Sequence, residues 1–471
     1  MFNNQANRLG ALLALLLWAA CGYAQEGYRI DVQLEGFDQD SIYLAYYLGD
    51  KQYIKDTIHR ESDGHFLIQG EEPLPGGMYL VVMPPDNQYL QVLVDEANQQ
   101  FGIRADLADP TASMQVSGSA ENTLFYDYLN FLNERRREAE GLKEAGQEPG
   151  PEAFADLNRR VSERQEQLMQ EHPGSFTAAI IRANLPLGEP DFSGTEAEVQ
   201  EKRWRYSQQH FFDNIDLADP RMLRTPFLFE RVDYYVNKLQ VQHPDTLARA
   251  IDGVLEKMRP APAVFQYYLV HFLNTYAASQ VVGQDAIYVH LAERYYATGE
   301  ADWTDEEQRE EIVENARRLE PLLIGKKAPD IEMQRPDGSP VSLYAVEAPI
   351  TILYFWRYDC SHCQKSTPHM KAFYEAYKDR GVKIFAVCVK RDEDELKACW
   401  DYVGENGLGE WIQTGDPGYK SFFPVKYDIR STPRIFVLGP DKTILSKSIA
   451  AEQLGEVVDM LLEKGSAGTG E

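Results

Sequence analysis

Cysteine is scarce in this chain, five residues in 471. That density excludes a fold stapled by disulfides, so each compact part must bury an apolar core of its own. Basic residues are also in short supply, 47 against 74 acidic ones, for a formal net charge of −27. Nucleic acid and anionic lipid both want a basic face, so no nucleic acid is expected as a partner. The apolar run Leu9-Gly10-Ala11-Leu12-Leu13-Ala14-Leu15-Leu16-Leu17-Trp18 is too short to span a membrane comfortably. The Cys-x-x-Cys at Cys360 and Cys363 has no second Cys/His pair of ligand spacing to complete a zinc site, so no metal is expected. A fixed repeat period is lacking too, which excludes a solenoid.

What is present at the N-terminus is a secretory signal pattern over residues 1–24. Arg8 precedes the apolar run, and small residues follow it. Cleavage after Gly22-Tyr23-Ala24 is the favoured reading, leaving Gln25 first. Its rival is lipoprotein processing at Cys21, since Trp18-Ala19-Ala20-Cys21 resembles a lipobox with an untypical first residue. Either route exports the protein, which in a Gram-negative cell means the periplasm or cell envelope, with membrane attachment only if Cys21 is lipidated.

The length predicts two to four domains. Residues 25–118 alternate in short runs (Tyr28–Leu34, Ile42–Leu48, Tyr53–Ile58, His65–Gln69, Met78–Met83, Tyr89–Val94, Phe101–Ala105), broken by Gly36, Asp63-Gly64 and Pro75-Gly76-Gly77. This is the pattern of an all-β, antiparallel sandwich. Residues 119–320 change to helical period, with Leu124, Phe125, Tyr128, Leu129 and Leu132 on one face. Proline and glycine breaks divide this all-α middle domain into eight or nine helices, with Ser193 and Thr304 as N-cap candidates. Its paired aromatics and scattered histidines read as packing residues rather than a ligand site. Residues 321–464 return to α/β character, and 465–471 read as a disordered tail.

The α/β part holds the chemistry. An apolar strand, Ile350 to Trp356, leads to Cys360-Ser361-His362-Cys363, and a helical pattern runs from about Ser361 to Lys378. A cysteine in the first turn of a helix has its sulfur at the positive end of the dipole, which favours the thiolate. The second cysteine, three residues on, shares that helix face and can close a small ring. Strand, helix, Phe355-Trp356 before the first cysteine, Pro368 five residues past the second, and Thr432-Pro433 ahead of Arg434-Ile435-Phe436-Val437-Leu438 together resemble a thioredoxin-fold site. Gly325-Lys326-Lys327-Ala328-Pro329-Asp330, Pro336-Asp337-Gly338 and Val341-Ser342-Leu343 resemble the entry to its TlpA/ResA (AhpC/TSA) branch. The β-domain and helical stretch resemble those fused ahead of thioredoxin domains in Bacteroidetes secreted proteins.

The resemblance implies a thiol–disulfide oxidoreductase that exchanges disulfides with protein clients. Cys360 would be its nucleophile and Cys363 its resolving thiol, the pair cycling as a redox-active disulfide with no other cofactor. His362, when protonated, would stabilise the Cys360 thiolate, and Asp359 would oppose it through like charge. Thr432 and Pro433, in a cis loop, and Trp356 would meet the client. The implied partners are cysteine-containing exported proteins and an unidentified membrane electron donor. Two departures stand out: Tyr354 occupies the position of thioredoxin's buried acid, and Ser366 that of the TlpA/ResA glutamate. Cys388 and Cys399 read as small buried hydrophobes, with a second redox pair as the alternative. The competing functions are a peroxiredoxin-type peroxidase, though Trp356-Arg357-Tyr358-Asp359 lacks its Pro and Thr/Ser, and a non-enzymatic envelope binding protein using the fold as scaffold.

Overall fold

The computed structural model describes residues 27–144 and 151–467. The signal segment with Cys21, and residues 468–471 of the tail, lie outside them. The chain divides into two compact units, one of residues 1–240 with 254–265 and the other of 241–253 with 266–471.

In the first unit, seven strands fall where the alternation places them: β1 (Tyr28–Glu35), β2 (Ser41–Leu48), β3 (Lys51–His59), β4 (Phe66–Gly70), β5 (Gly77–Met83), β6 (Gln88–Val94) and β7 (Gln100–Asp106). A short β8 (Gln115–Ser117) joins them. They form two four-stranded sheets, in the orders β4-β1-β7-β8 and β3-β2-β5-β6. Ile30, Val32, Phe66 and Ile103 from one sheet and Ile42, Leu44, Val81 and Val92 from the other share one core. Every other residue of β1 is buried, which is how a two-residue period builds a one-sided strand. The antiparallel expectation fails at one ladder, because β1 and β7 run parallel with Arg29 opposite Gln100. The two strands are 72 residues apart at their starts, so a hairpin does not dictate their direction.

The first helix, α1 (Ala120–Glu144), is tied to β6 by the Asn122 side chain, which accepts from the Leu93 N–H at 2.8 Å, and by Tyr126, whose hydroxyl donates to the Gln91 carbonyl at 2.8 Å. Eight more α-helices follow before residue 320 among the described residues. The caps sit close to the expected places but not on them. Thr195 rather than Ser193 caps Glu196–His210, in a reciprocal box with Glu198, and Asp305 rather than Thr304 caps Glu306–Leu319. In each case the residue adjoining the helix has the extended backbone that a cap needs. The aromatic pairs pack on one another: Phe212 lies 4.7 Å from Tyr235, and Phe211 stacks on Tyr234 at 5.7 Å.

The second unit pairs a short β9 (Glu332–Gln334) with β10 (Pro340–Ser342) and is built on a five-stranded sheet in the order β13-β12-β11-β14-β15, with β13 at Ile412–Thr414. Central β11 (Ile350–Trp356) pairs parallel with β12 (Val382–Cys388) and antiparallel with β14 (Arg434–Leu438). All seven residues of β11 are buried, so its sequence reads as a continuous apolar run. Its alternate residues feed two cores. Ile352, Tyr354 and Trp356 face α10 (Ser361–Tyr377), α11 (Glu393–Asn406) and α13 (Leu454–Ala467), whose Met370, Leu396 and Val458 join them. Leu353 and Phe355 face Phe385, Phe423, Phe436 and the entry residues Ala328, Ile331 and Met333. Helix α13 reaches into the stretch read as tail, to Ala467. The helical residues 285–322 are locked on by Lys447 of β15 (Ile444–Lys447), which pairs with Asp285 and donates to the Leu322 carbonyl at 2.5 Å.

Cys388 and Cys399 correct the sequence reading. Both are buried as expected, but they are joined in a disulfide rather than packed as separate thiols. Cys388 ends β12 and faces the helix carrying Cys399, which brings their Cα atoms to 6.6 Å, within bridging range. The bond closes a short loop, so Cys399→Ser is expected to cost ~2–3 kcal/mol in denaturant unfolding under oxidising conditions. Protein unfolded without reductant and then alkylated should leave Cys388 and Cys399 unmodified by mass spectrometry. Labelling of both would refute the bond.

Candidate active site

Strand β11 delivers the chain to the turn Arg357–Asp359, and α10 starts at Ser361 with Cys360 as its N-cap. The cap role that serine or aspartate oxygen usually fills is taken here by sulfur. The Cys363 N–H donates to the Cys360 sulfur at 3.3 Å. From the other side the Cys360 thiol donates to the Thr432 carbonyl at 3.3 Å. That carbonyl is presented by the cis Thr432-Pro433 peptide, which leads into β14, where Arg434 sits opposite Phe355 of β11. The sheet register thus brings two stretches 72 residues apart together across one sulfur.

The two thiols are free and unequal. Burial pushes the Cys360 pKa up, but hydrogen bonds from the Cys363 and Thr432 side chains and from the Cys363 and His362 backbone N–H groups outweigh it, and the net shift is downward. Cys363 is the more buried, 1% exposed against 6%. Burial, then the neighbouring Cys360 sulfur, push it up to about 12. A nucleophilic thiolate in front of a protonated partner is the arrangement that disulfide exchange uses.

His362 lies between the two cysteines. Its ring is exposed and makes no hydrogen bond to a described residue, whereas its backbone N–H helps lower Cys360. Asp359 does not stand as an unopposed negative charge beside the nucleophile. Its carboxylate is held by Lys390 at 3.0 Å and faces Arg357 at 3.6 Å, and burial, which would raise its pKa, is overcome by Lys390. Lys390 is itself shared with Glu395 at 2.8 Å. Trp356, expected on the client-facing surface, is 1% exposed and packs on Tyr402 at 5.5 Å. It is the last residue of a strand buried on both faces and lies beneath the site.

No carboxylate takes the place of the missing acids near Cys363 among the described residues. The Tyr354 hydroxyl is buried without a hydrogen-bond partner, and burial raises its pKa so far that the phenol stays neutral and is no base. Ser366 donates to the His362 carbonyl at 2.9 Å, and His369 faces Glu452 at 3.4 Å. Thr367 donates to the Cys363 carbonyl at 3.0 Å and accepts from Tyr402 at 3.2 Å. Sequence reasoning missed Lys390, Thr367 and Tyr402. Lys390 lies 31 residues from Asp359 and only the parallel β11–β12 register, Trp356 opposite Cys388, brings it near.

Comparison with known proteins matches three stretches of the chain. Residues 324–444 match the AhpC/TSA family, residues 166–319 a domain of unknown function (DUF5106), and residues 28–125 another (DUF4369). Thiol-disulfide oxidoreductase ResA of Bacillus cereus is 30% identical over 145 residues, which cover 31% of this chain and 80% of that protein. ResA of Bacillus thuringiensis is 29% identical over the same shares. Among solved structures, a domain of a possible thiol-disulfide isomerase from Cytophaga hutchinsonii is 31% identical, with a TM-score of 0.29, covering 31% of this chain and 98% of its own. Kinship at 30% identity over four-fifths of a ResA protein, with an AhpC/TSA match whose span includes both cysteines and the cis-proline loop, makes the chain a member of the TlpA/ResA-like family of thioredoxin-fold thiol–disulfide oxidoreductases.

Proposed function

We propose that the protein is exported and exchanges disulfides with cysteine-containing protein clients in the periplasm or cell envelope, through Cys360-Ser361-His362-Cys363. The observation that carries this reading is the inequality of the two thiols, with the pKa of Cys360 lowered and that of Cys363 raised, at the loop of Thr432 and Pro433. The signal pattern of residues 1–24 supports export, and lipidation at Cys21 would add a membrane anchor.

In the reductive direction the Cys360 thiolate attacks one sulfur of a client disulfide. The client S–S bond breaks, a Cys360–client mixed disulfide forms, and the other client sulfur leaves as a thiolate that takes up a proton. Cys363 then loses its proton and attacks the Cys360 sulfur, which releases the second client thiol and closes the Cys360–Cys363 disulfide. The client gains two electrons and two protons, and the dithiol loses them. With both usual acids absent, the Cys363 proton passes to water or to the departing client thiolate. A membrane electron donor would restore the dithiol, and the same steps reversed oxidise a client. Backbone groups of Thr432 would pair with an extended client segment.

Three outcomes test this. Cys363→Ser should accumulate mixed disulfides with exported cysteine proteins while Cys360→Ser accumulates few; equal trapping by the two variants would reverse or void the assignment. The iodoacetamide rate of Cys360 should rise with pH and level off below the free-cysteine value of ~8.5, because a lowered pKa means the thiolate already predominates there. Cys363 should stay unreactive over that range, and matching profiles for the two thiols would refute their inequality. Finally, His362→Pro removes the backbone donor, weakens the thiolate and should shift the reduction potential by about 20–40 mV to the negative side, whereas His362→Ala, which keeps the N–H, should shift it by under about 10 mV. Equilibration with glutathione buffers reads both, and a larger shift for alanine would return the role to the imidazole.

A further inference from the structure

Within the second unit, helical residues 276–319 and sheet residues 428–448 enclose a cavity of about 380 Å3. One of its walls is Ser431, the residue before Thr432, whose carbonyl oxygen lies 3.3 Å from the Cys360 sulfur. The cavity therefore abuts the loop at which a client would lie. Three cations line it, Arg430, Arg434 and Lys447, against two carboxylates, Asp285 and Asp428. In a chain of net charge −27 that local excess of positive charge needs a reason.

Two of the three cations are already committed. Lys447 pairs with Asp285 and donates to the Leu322 carbonyl. Arg430 bonds Asp428 at 3.0 Å and Asn315 at 3.0 Å, and Asp428 also faces Arg318 at 3.6 Å. Arg434 is different. Its side chain makes no hydrogen bond or ion pair with any described residue, its Nε is buried without a partner, and its guanidinium sits 6.0 Å from the centre of the Phe436 ring. Burial pushes its pKa below the usual arginine range. A guanidinium withdrawn from water and left unpaired is costly, and a carboxylate reaching it would remove that cost with charge-assisted hydrogen bonds.

We propose that this cavity is a client-recognition subsite in which Arg434 binds the carboxylate of an aspartate or glutamate lying within about three residues of the client cysteine, a reach of ~10 Å along extended chain. The proposal rests on the disulfide-exchange reading above and gives that activity a substrate class, acidic cysteine-containing segments.

The test uses the full reduced chain and synthetic peptides whose single cysteine is a mixed disulfide with 2-thiopyridine, an uncharged leaving group. The peptides carry Glu, Gln or Lys two and three residues to either side. Exchange forms the Cys360–peptide disulfide and releases thiopyridone, which is followed by absorbance. At low salt the Glu peptide should react about tenfold faster than the Gln peptide, and the Lys peptide slowest. The Glu/Gln ratio is internal to each variant. It should fall to about one in Arg434→Gln and stay well above one in Arg434→Lys. Equal Glu and Gln rates in the unmodified chain, or a ratio that persists in Arg434→Gln, would overturn the subsite. Failure of every peptide to release thiopyridone would instead overturn the oxidoreductase reading itself.

Discussion

Everything functional in the second unit depends on one sulfur standing in for a helix cap. Because Cys360 accepts the Cys363 N–H, the start of α10 and the reactivity of the nucleophile are set by the same contact. Serine at that position would cap as well, but it could not leave as a thiolate. Placing the sulfur there ties reactivity to helix geometry and so to the packing of α10 on the sheet through Met370 and Phe373. Buried β11 holds one side of the sulfur, and the Thr432 carbonyl holds the other.

The surroundings refine that contact rather than create it. Lys390 and Arg357 neutralise Asp359, so the acidic chain does not raise the local cost of forming a thiolate. Tyr354 fills the place of an acid with a neutral ring edge-on to Trp411 at 6.3 Å. Neither residue that replaces the usual acids can take the Cys363 proton as a carboxylate would. That second step, not the first, is where this chain departs from the pattern its sequence resembles.

Much of this was legible beforehand because it is written locally. The two-residue alternation from Tyr28 to Ala105 placed seven strands, and the apolar run ending at Trp356 placed the central one. The cysteine spacing named the chemistry. What stayed hidden depended on which distant segments meet. The parallel β1–β7 ladder joins strands separated by most of a domain, and Lys390 reaches Asp359 only through sheet register. The burial of Trp356 was not legible from its place four residues before Cys360, because it follows from a strand sealed on both faces. The caps at Thr195 and Asp305 show the ordinary limit, a residue or two, on reading boundaries from side-chain type.

The bond between Cys388 and Cys399 sets an order of events for the protein's own maturation. Both sulfurs are wholly buried in the same core that holds Cys360 and Cys363. An oxidant can reach them only before α11 closes over the end of β12, so oxidation must accompany folding. Once closed, the pair is shielded from solvent within the core that also holds the two free thiols. Two chemically similar cysteine pairs thus share one core, one closed on itself and the other left as free thiols.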